Sequence, residues 1–344
     1  MSFEVLHKIP SVEEVLKTTE TELTQELKAL KKERDALIKA VIRGESDKFL
    51  VIIGPCSADS IDAVADYVSR LAKVQERLRD KLVIVPRIYT NKPRTTGSGY
   101  KGMLHQPDPH DTPNIIEGIY SIRHMHIKVM TESHLTAADE MLYPDNYVYV
   151  EDVLSYVAIG ARSVENQQHR LTSSGVSVPV GMKNPTSGDL SVMFNAIYAA
   201  QSDHTFIYSA NEVHSSGNPL AHAIMRGSTN KHGENIPNYH YEDISAALEL
   251  YEKMQLKHPA IIIDTNHANS SKNYNEQPRI AKEILHSRRY SNDIKNVVKG
   301  LLIESYIAEG SQKIDGEVYG QSITDGCIGW ERTELLLEQI ADGI

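Results

Sequence analysis

The sequence predicts an α/β fold, a (β/α)8 TIM barrel preceded by a short N-terminal helical extension. Three observations carry this expectation. From Phe49 to the C-terminus, short aliphatic runs alternate with helical segments, about eight of each. No Pro/Gly/Ser-rich linker or shift in composition divides that alternation, which favours one closed barrel over a doubly wound open sheet. Most runs stay apolar up to their C-terminal edge and then present a charged or metal-binding side chain, as strands do when they deliver an active site to one rim.

The extension comprises residues 1–46, an arm plus one helix, and the catalytic barrel residues 47–344. Pro10-Ser11 followed by Glu14 has the form of a capping box and opens a single long helix over 11–43, which Gly44 ends. Leu16, Leu23, Leu30 and Leu37 recur every seven residues, but Glu20 and Arg34 interrupt their stripe. The helix is therefore expected to pack on its own chain rather than in a coiled coil. Barrel strands are expected at 49–57, 82–88, 135–142, 156–163, 179–184, 204–209, 260–267 and 297–305. Near-continuous Val, Ile and Leu mark the first of these as buried on both faces. Helices fall near 60–79, 113–133, 165–174, 189–201, 241–255, 276–289 and 331–342.

Size and composition, 344 residues with 40% hydrophobic and 24% charged, are those of a soluble globular protein. No apolar run nears the roughly 18 residues of a membrane helix. MSFEVLHKIP lacks the features of a signal peptide, and two cysteines, Cys56 and Cys327, suit a reducing cytoplasm. A formal net charge of -10 argues against nucleic acid as a partner, yet leaves room for a basic pocket that takes small anions. PRIYTNKPRTTGSGYKG (86–102) foreshadows one: Arg87, Lys92, Arg94 and Lys101 stand among glycines and hydroxyls with no acidic residue. Fixed N–H and O–H donors beside cations suit phosphate or carboxylate.

On the barrel, Cys56, Arg87, Glu140, Arg162 and Lys183 end the first five strands, and His267 and Glu304 the seventh and eighth. Taken singly, Cys56 reads as a small buried apolar residue, His267 as a loop histidine, and Glu304 and Asp325 as solvated carboxylates. Their shared rim favours a second reading, in which Cys56, His267, Glu304 and Asp325 form a sulfur, nitrogen and oxygen set for a divalent metal. Arg87, Lys92, Arg94, Arg162, Lys183 and Arg226 form a cationic set. With about -1.5 to -2 on each phosphate monoester, those cations match about two phosphates and one carboxylate.

GPCS (54–57), KPRTT (92–96), GAR (160–162), GMKNPT (181–186), DTNHANSSK (264–272) and SITDGCIGWE (322–331) resemble type I 3-deoxy-D-arabino-heptulosonate 7-phosphate (DAHP) synthase. The resemblance runs from about residue 10 to the C-terminus, with the motifs in the family's order. It implies a (β/α)8 barrel that condenses phosphoenolpyruvate with D-erythrose 4-phosphate and water to DAHP and phosphate, the first step of the shikimate pathway. It also implies one divalent ion per subunit (manganese, iron, cobalt or zinc) and a homodimer or homotetramer. Carried over by position, the metal ligands are Cys56, His267, Glu304 and Asp325. Arg162 and Arg226 would hold the phosphate of phosphoenolpyruvate, and Arg87 and Lys183 its carboxylate. Lys92 would act on the developing alkoxide, Arg94 and Thr95 would clamp the second phosphate, and Glu140 would stand near the attacking water. The chain departs from the family in two places. GSGY adds a residue before Lys101, and YSANEVHSSGN (208–218) is shorter than the effector hairpin of feedback-inhibited enterobacterial members. The nearest rival, a 3-deoxy-D-manno-octulosonate 8-phosphate synthase using arabinose 5-phosphate, has an asparagine-containing stretch where this chain has KPRTT.

Overall fold

The structure is a computed structural model that describes residues 3–94 and 97–344. Its centre is a ring of parallel strands. The strands are β1 (Phe49–Gly54), β2 (Leu82–Pro86), β3 (Ala137–Glu140), β4 (Leu154–Ile159), β5 (Val180–Lys183), β6 (His204–Tyr208), β7 (Asn211–Ser215), β8 (Ala221–Met225), β9 (Ser228–Thr229), β10 (Asn235–Ile236), β11 (Ile261–Asp264) and β12 (Val298–Glu304). Eight of them run in the order β2-β1-β12-β11-β8-β5-β4-β3. A parallel bridge from Arg87 to Ala138 joins the two ends, with Ile88 N–H donating to the Ala138 carbonyl at 2.9 Å. The predicted barrel is the observed architecture.

Helices surround the ring: α1 (Val12–Thr18), α2 (Gln25–Arg43), α3 (Ile61–Leu78), α4 (Ile115–Ser133), α5 (Pro144–Tyr147), α6 (Gln167–Gly175), α7 (Leu190–Gln201), α8 (Tyr241–Lys253), α9 (Gln277–Tyr290), α10 (Asn292–Val297) and α11 (Trp330–Gly343). None among the described residues is long and apolar enough to cross a membrane.

Strand alternation splits the core in two. Phe49, Val51 and Ile53 of β1 pack outward with the helices, while Leu50 and Ile52 point inward with Val83, Val85, Ile262 and Leu302. Successive side chains alternate in direction. The parity that puts Leu50 and Ile52 inside therefore also gives Arg87, Glu140, Lys183, Arg226, Asp264 and Glu304 inward positions at the C-terminal mouth. All six are buried.

The other mouth is closed by α2, whose Ile38, Val41 and Ile42 join the interior cluster. Arg34 donates to the Ile84 carbonyl at 2.5 Å, and Asp35 accepts from Ser155 at 2.5 Å. Arg34 thus lies on the buried stripe it was expected to interrupt, its guanidinium spent on a strand carbonyl.

Two sequence expectations need correction. The helix over 11–43 is two helices. The Ser11–Glu14 capping box opens α1 as expected, but Thr19 caps its end and Thr24 starts α2 by accepting from Leu27 N–H. Arg123 fills the break, donating to the Thr19 hydroxyl at 2.5 Å and to Asp152. The stretch 204–209 is also not a barrel strand: β6 pairs antiparallel with β7 as a separate ribbon, and the sixth barrel strand is β8. β6 alternates between half-buried and exposed residues, which suits a ribbon, whereas β8 is buried throughout, as a barrel strand must be.

Candidate active site

At the C-terminal mouth a cavity of about 340 Å³ is lined by Cys56, Arg87, Lys92, Arg94, Glu140 and Arg162, together with Lys183, Arg226, His267 and Asp325. Residues from 56 to 325 in the chain therefore converge on one space. Glu304 borders it through its ion pair with Arg87. Thr95 lies outside the described residues. Arg226 directly follows β8, so the sixth strand also delivers a charge to the rim.

The deepest element is the Arg87–Glu304 pair, 3.0 Å apart with both side chains at most 2% exposed. Arg87 also donates to the Pro55 carbonyl and lies 3.8 Å over the Tyr89 ring. Burial lowers the guanidinium's proton affinity, but Glu304, Tyr89, Cys56 and Asp264 together more than reverse that and hold it firmly charged. A Cβ on Gly54 would collide with the Arg87 carbonyl, so glycine is what lets β1 and β2 approach here. Breaking such a buried pair from one side typically costs about 3–5 kcal/mol.

Above it, Lys92 Nζ lies 2.7 Å from Cys56 Sγ and 2.8 Å from Asp325 Oδ2. Burial pushes the Cys56 thiol up to about 11, helped by the Glu304 charge and opposed by Lys92. Burial would raise the Asp325 carboxyl too, but Lys92 outweighs it and holds the group well below the usual carboxylate range. Asp325 Oδ2 is 3.3 Å from Cys56 Sγ, and His267 Nε2 is 3.9 Å from Glu304 Oε1. The four predicted ligands thus share one corner as two pairs. Among the described residues, however, no group of three or more His, Cys, Asp or Glu is set to hold a metal. Sulfur, imidazole and carboxylate donors fit a borderline divalent cation by type. Lys92 bridges one pair, and Arg87 with Asn266 engages Glu304 of the other.

Lys183 stands 3.8 Å from Glu140 and 3.7 Å from Asp264. Asp264 Oδ2 in turn lies 2.8 Å from His267 Nδ1. Burial acts to raise the Asp264 carboxyl, but His267, Lys183 and Arg226 together hold it well below the usual range. A carboxylate behind an imidazole fixes its orientation and leaves Nε2 as the outward nitrogen. Arg94 Nε donates to the Tyr100 carbonyl at 2.8 Å, which pins the basic loop, while Lys101 is exposed and its carbonyl accepts from Lys92 N–H at 2.9 Å.

Sequence reasoning missed Asp264 and Lys272. Asp264 carried the same signal as its neighbours, a charge ending an apolar strand. Lys272 lines the cavity from a loop in which His267, Ser271 and Lys272 all adopt left-handed backbone, φ 50°, 53° and 62°. Clustered non-glycine residues in that region store strain and mark functional loops.

Residues 18–338 match the DAHP synthetase I family. The chain belongs to that family. Membership makes it an enzyme of aromatic biosynthesis, a DAHP synthase forming a C–C bond by aldol-type chemistry. It is 37% identical over 312 residues to a phospho-2-dehydro-3-deoxyheptonate aldolase of Haemophilus influenzae, covering 88% of this chain and 83% of that one. It is 38% identical over 327 residues to the phenylalanine-inhibited aldolase of Saccharomyces cerevisiae, covering 91% and 85%. In three dimensions it is similar to the same aldolase from Francisella tularensis, with a TM-score of 0.92 at 28% identity, covering 100% of this chain and 98% of the other.

Proposed function

We propose that this DAHP synthase condenses phosphoenolpyruvate with D-erythrose 4-phosphate and water, giving DAHP and inorganic phosphate, with a divalent cation required. The observation that carries the reading is one cavity holding Arg87, Lys92, Arg94, Arg162, Lys183 and Arg226 beside a Cys, His, Glu and Asp donor set. Arg162 and Arg226 bind the phosphate of phosphoenolpyruvate, and Arg87 and Lys183 face its carboxylate. Arg94, with Thr95, takes the phosphate of the sugar, which places the aldehyde next to Lys92. Cys56, His267, Glu304 and Asp325 would hold a divalent cation, which would supply Lewis-acid polarisation at that aldehyde.

C3 of phosphoenolpyruvate bonds to the aldehyde carbon, and the aldehyde oxygen takes a proton from Lys92. Water adds at C2 and gives up a proton on the Glu140 side. Phosphate then leaves from the tetrahedral centre, its charge met by Arg162 and Lys183. Lys183 acts electrostatically, its Nζ 3.8 Å from Glu140 and 3.7 Å from Asp264.

The purified protein is offered phosphoenolpyruvate with either erythrose 4-phosphate or arabinose 5-phosphate while phosphate release is followed. Turnover with the four-carbon sugar alone is expected; preference for the five-carbon sugar would overturn the reading. Dialysis against a chelator is expected to abolish the rate and added divalent metal to restore it. Full turnover after chelation would remove the metal.

A further inference from the structure

Arg226 differs from its neighbours in how it is held. Arg87 is fixed through its guanidinium by Glu304, and Lys92 through its ammonium by Cys56 and Asp325. The Arg226 guanidinium, 7% exposed, makes one hydrogen bond among the described residues, a 3.4 Å contact with the carbonyl of the next residue. What is fixed instead is its backbone. The Met225 carbonyl accepts from Asn269 Nδ2 at 3.2 Å, and Arg226 N–H donates to Asn184 Oδ1 at 2.9 Å. Gly227 N–H donates to Asn238 Oδ1 at 2.7 Å, and the Gly227 carbonyl accepts from Asn184 Nδ2 at 2.9 Å.

The three asparagines also bind one another. Asn238 Nδ2 donates to Asn184 Oδ1 at 3.1 Å, and Asn238 N–H donates to Asn269 Oδ1 at 2.8 Å. They brace a turn with φ +72° at Gly227, where a Cβ would come within 2.7 Å of Asn269 N. Asn184 and Asn269 follow strands β5 and β11 in the rim motifs. Asn238 comes from elsewhere: it returns after the β9–β10 excursion and closes its base. It is outside the cavity lining.

We propose that Asn238 is a positioning residue for Arg226, fixing the Arg226–Gly227 turn and thereby the affinity for the phosphoryl group that Arg226 binds. The proposal rests on the assignment of Arg226 to phosphoenolpyruvate made above. A side chain whose one hydrogen bond returns to its own turn is only as well placed as the main chain that carries it, and a buried N–H that loses its acceptor pulls that main chain toward another conformation. Asn238→Ala deletes the acceptor of Gly227 N–H and the donor to Asn184. Asn238→Asp keeps the acceptor of Gly227 N–H, but it replaces the donor to Asn184 with a charged acceptor.

Steady-state constants for both substrates, the affinity for phosphoenolpyruvate alone by calorimetry, and thermal unfolding are measured on wild type and both variants. Asn238→Ala is expected to raise the KM and Kd for phosphoenolpyruvate about tenfold. The KM for erythrose 4-phosphate and kcat stay within about twofold. Asn238→Asp, with the acceptor retained but the link to Asn184 lost, is expected to raise the KM for phosphoenolpyruvate by less than Asn238→Ala does, again without moving that for erythrose 4-phosphate. Ile236→Ala, on the exposed side of the same excursion, is expected to match wild type. Unchanged phosphoenolpyruvate affinity in both variants, or a fall in all constants alongside the melting temperature, would overturn the positioning role. If Asn238→Ala does not fold, the ratio of the two KM values in Asn238→Asp decides. A wild-type enzyme that binds no phosphoenolpyruvate would instead sink the functional assignment.

Discussion

Two cavities lie at opposite mouths of this barrel. The one at the C-terminal mouth measures about 340 Å³; the one at the N-terminal mouth, between α6, the β6–β7 ribbon and the end of α2, about 520 Å³. The smaller gathers charge: Arg87, Lys183 and Arg226 line it, buried, with Asp264 and Glu304 behind. The larger is lined mainly by hydroxyls, a histidine and apolar ribbon residues, among them Thr172, Ser174, Ser215 and His214, and its charged residues Lys39, Arg43 and Glu151 are not buried. Volume is therefore the poorer guide to chemistry here. A folded chain has to compensate every buried charge, and it keeps several together only where their field has a use.

The largest contrast is expected from removing a rim cation. Lys183→Met deletes the charge that balances Glu140 and Asp264 and would stabilise the departing phosphate. A fall in kcat of about 10²–10³ is expected, as for loss of one preorganised electrostatic donor. Rapid-quench measurement of phosphate release checks it. A variant within tenfold of wild type would mean that the rim charges are structural and that the two cavities differ less than their lining suggests.

The partition between the mouths also explains what could be read in advance. Most rim residues were legible because each sits at the end of a short apolar run, and strand parity then turns it inward. Arg87 and Glu304, which close runs of Val, Ile and Leu, needed nothing more. The strand before Arg226 was overlooked because AHAIM offers two alanines and a histidine, while HTFIYS, rich in β-formers, drew the assignment although it forms an outlying ribbon. The break between α1 and α2 was hidden for a similar reason. The leucine spacing runs through it, and only the threonine caps and the Arg123 side chain, 104 residues away in the chain from Thr19, declare it. The N-terminal cavity had no signature, since loops and ribbon bring together ordinary polar residues.

Between the two mouths lies a packed interior with one polar pair: Tyr156 donates to His222 Nε2 at 2.8 Å, and His222 Nδ1–H donates to the Leu220 carbonyl at 2.8 Å. Burial holds this imidazole down at about 4 from an ordinary 6.5. A base depressed in the folded state contributes stability that is complete above pH 6.5 and is lost as pH falls toward 4. The shift corresponds to about 3 kcal/mol. Urea unfolding at pH 7 and pH 4.5 is expected to show a loss of that order. His222→Asn, neutral at both, is expected to flatten it; an equal pH slope in that variant would place the acid sensitivity in the rim carboxylates instead.

The smallest effect is expected at the N-terminal cavity. His214 is exposed on the ribbon and contacts the Thr205 hydroxyl at 3.3 Å. Its loss removes neither core packing nor a buried partner, so His214→Ala is expected to change stability by less than about 0.5 kcal/mol. Turnover with phosphoenolpyruvate and erythrose 4-phosphate is expected to stay within about twofold. A strand of five residues spans roughly 16 Å, and the side chains filling that length are aliphatic apart from Tyr89 and the Tyr156–His222 pair. Such a filling carries no charge from one mouth to the other, so a local change at the ribbon is expected to stay local. A change in kcat beyond about fivefold in this variant, with its melting temperature intact, would show that the two ends are energetically joined and that the interior transmits what its composition says it should not.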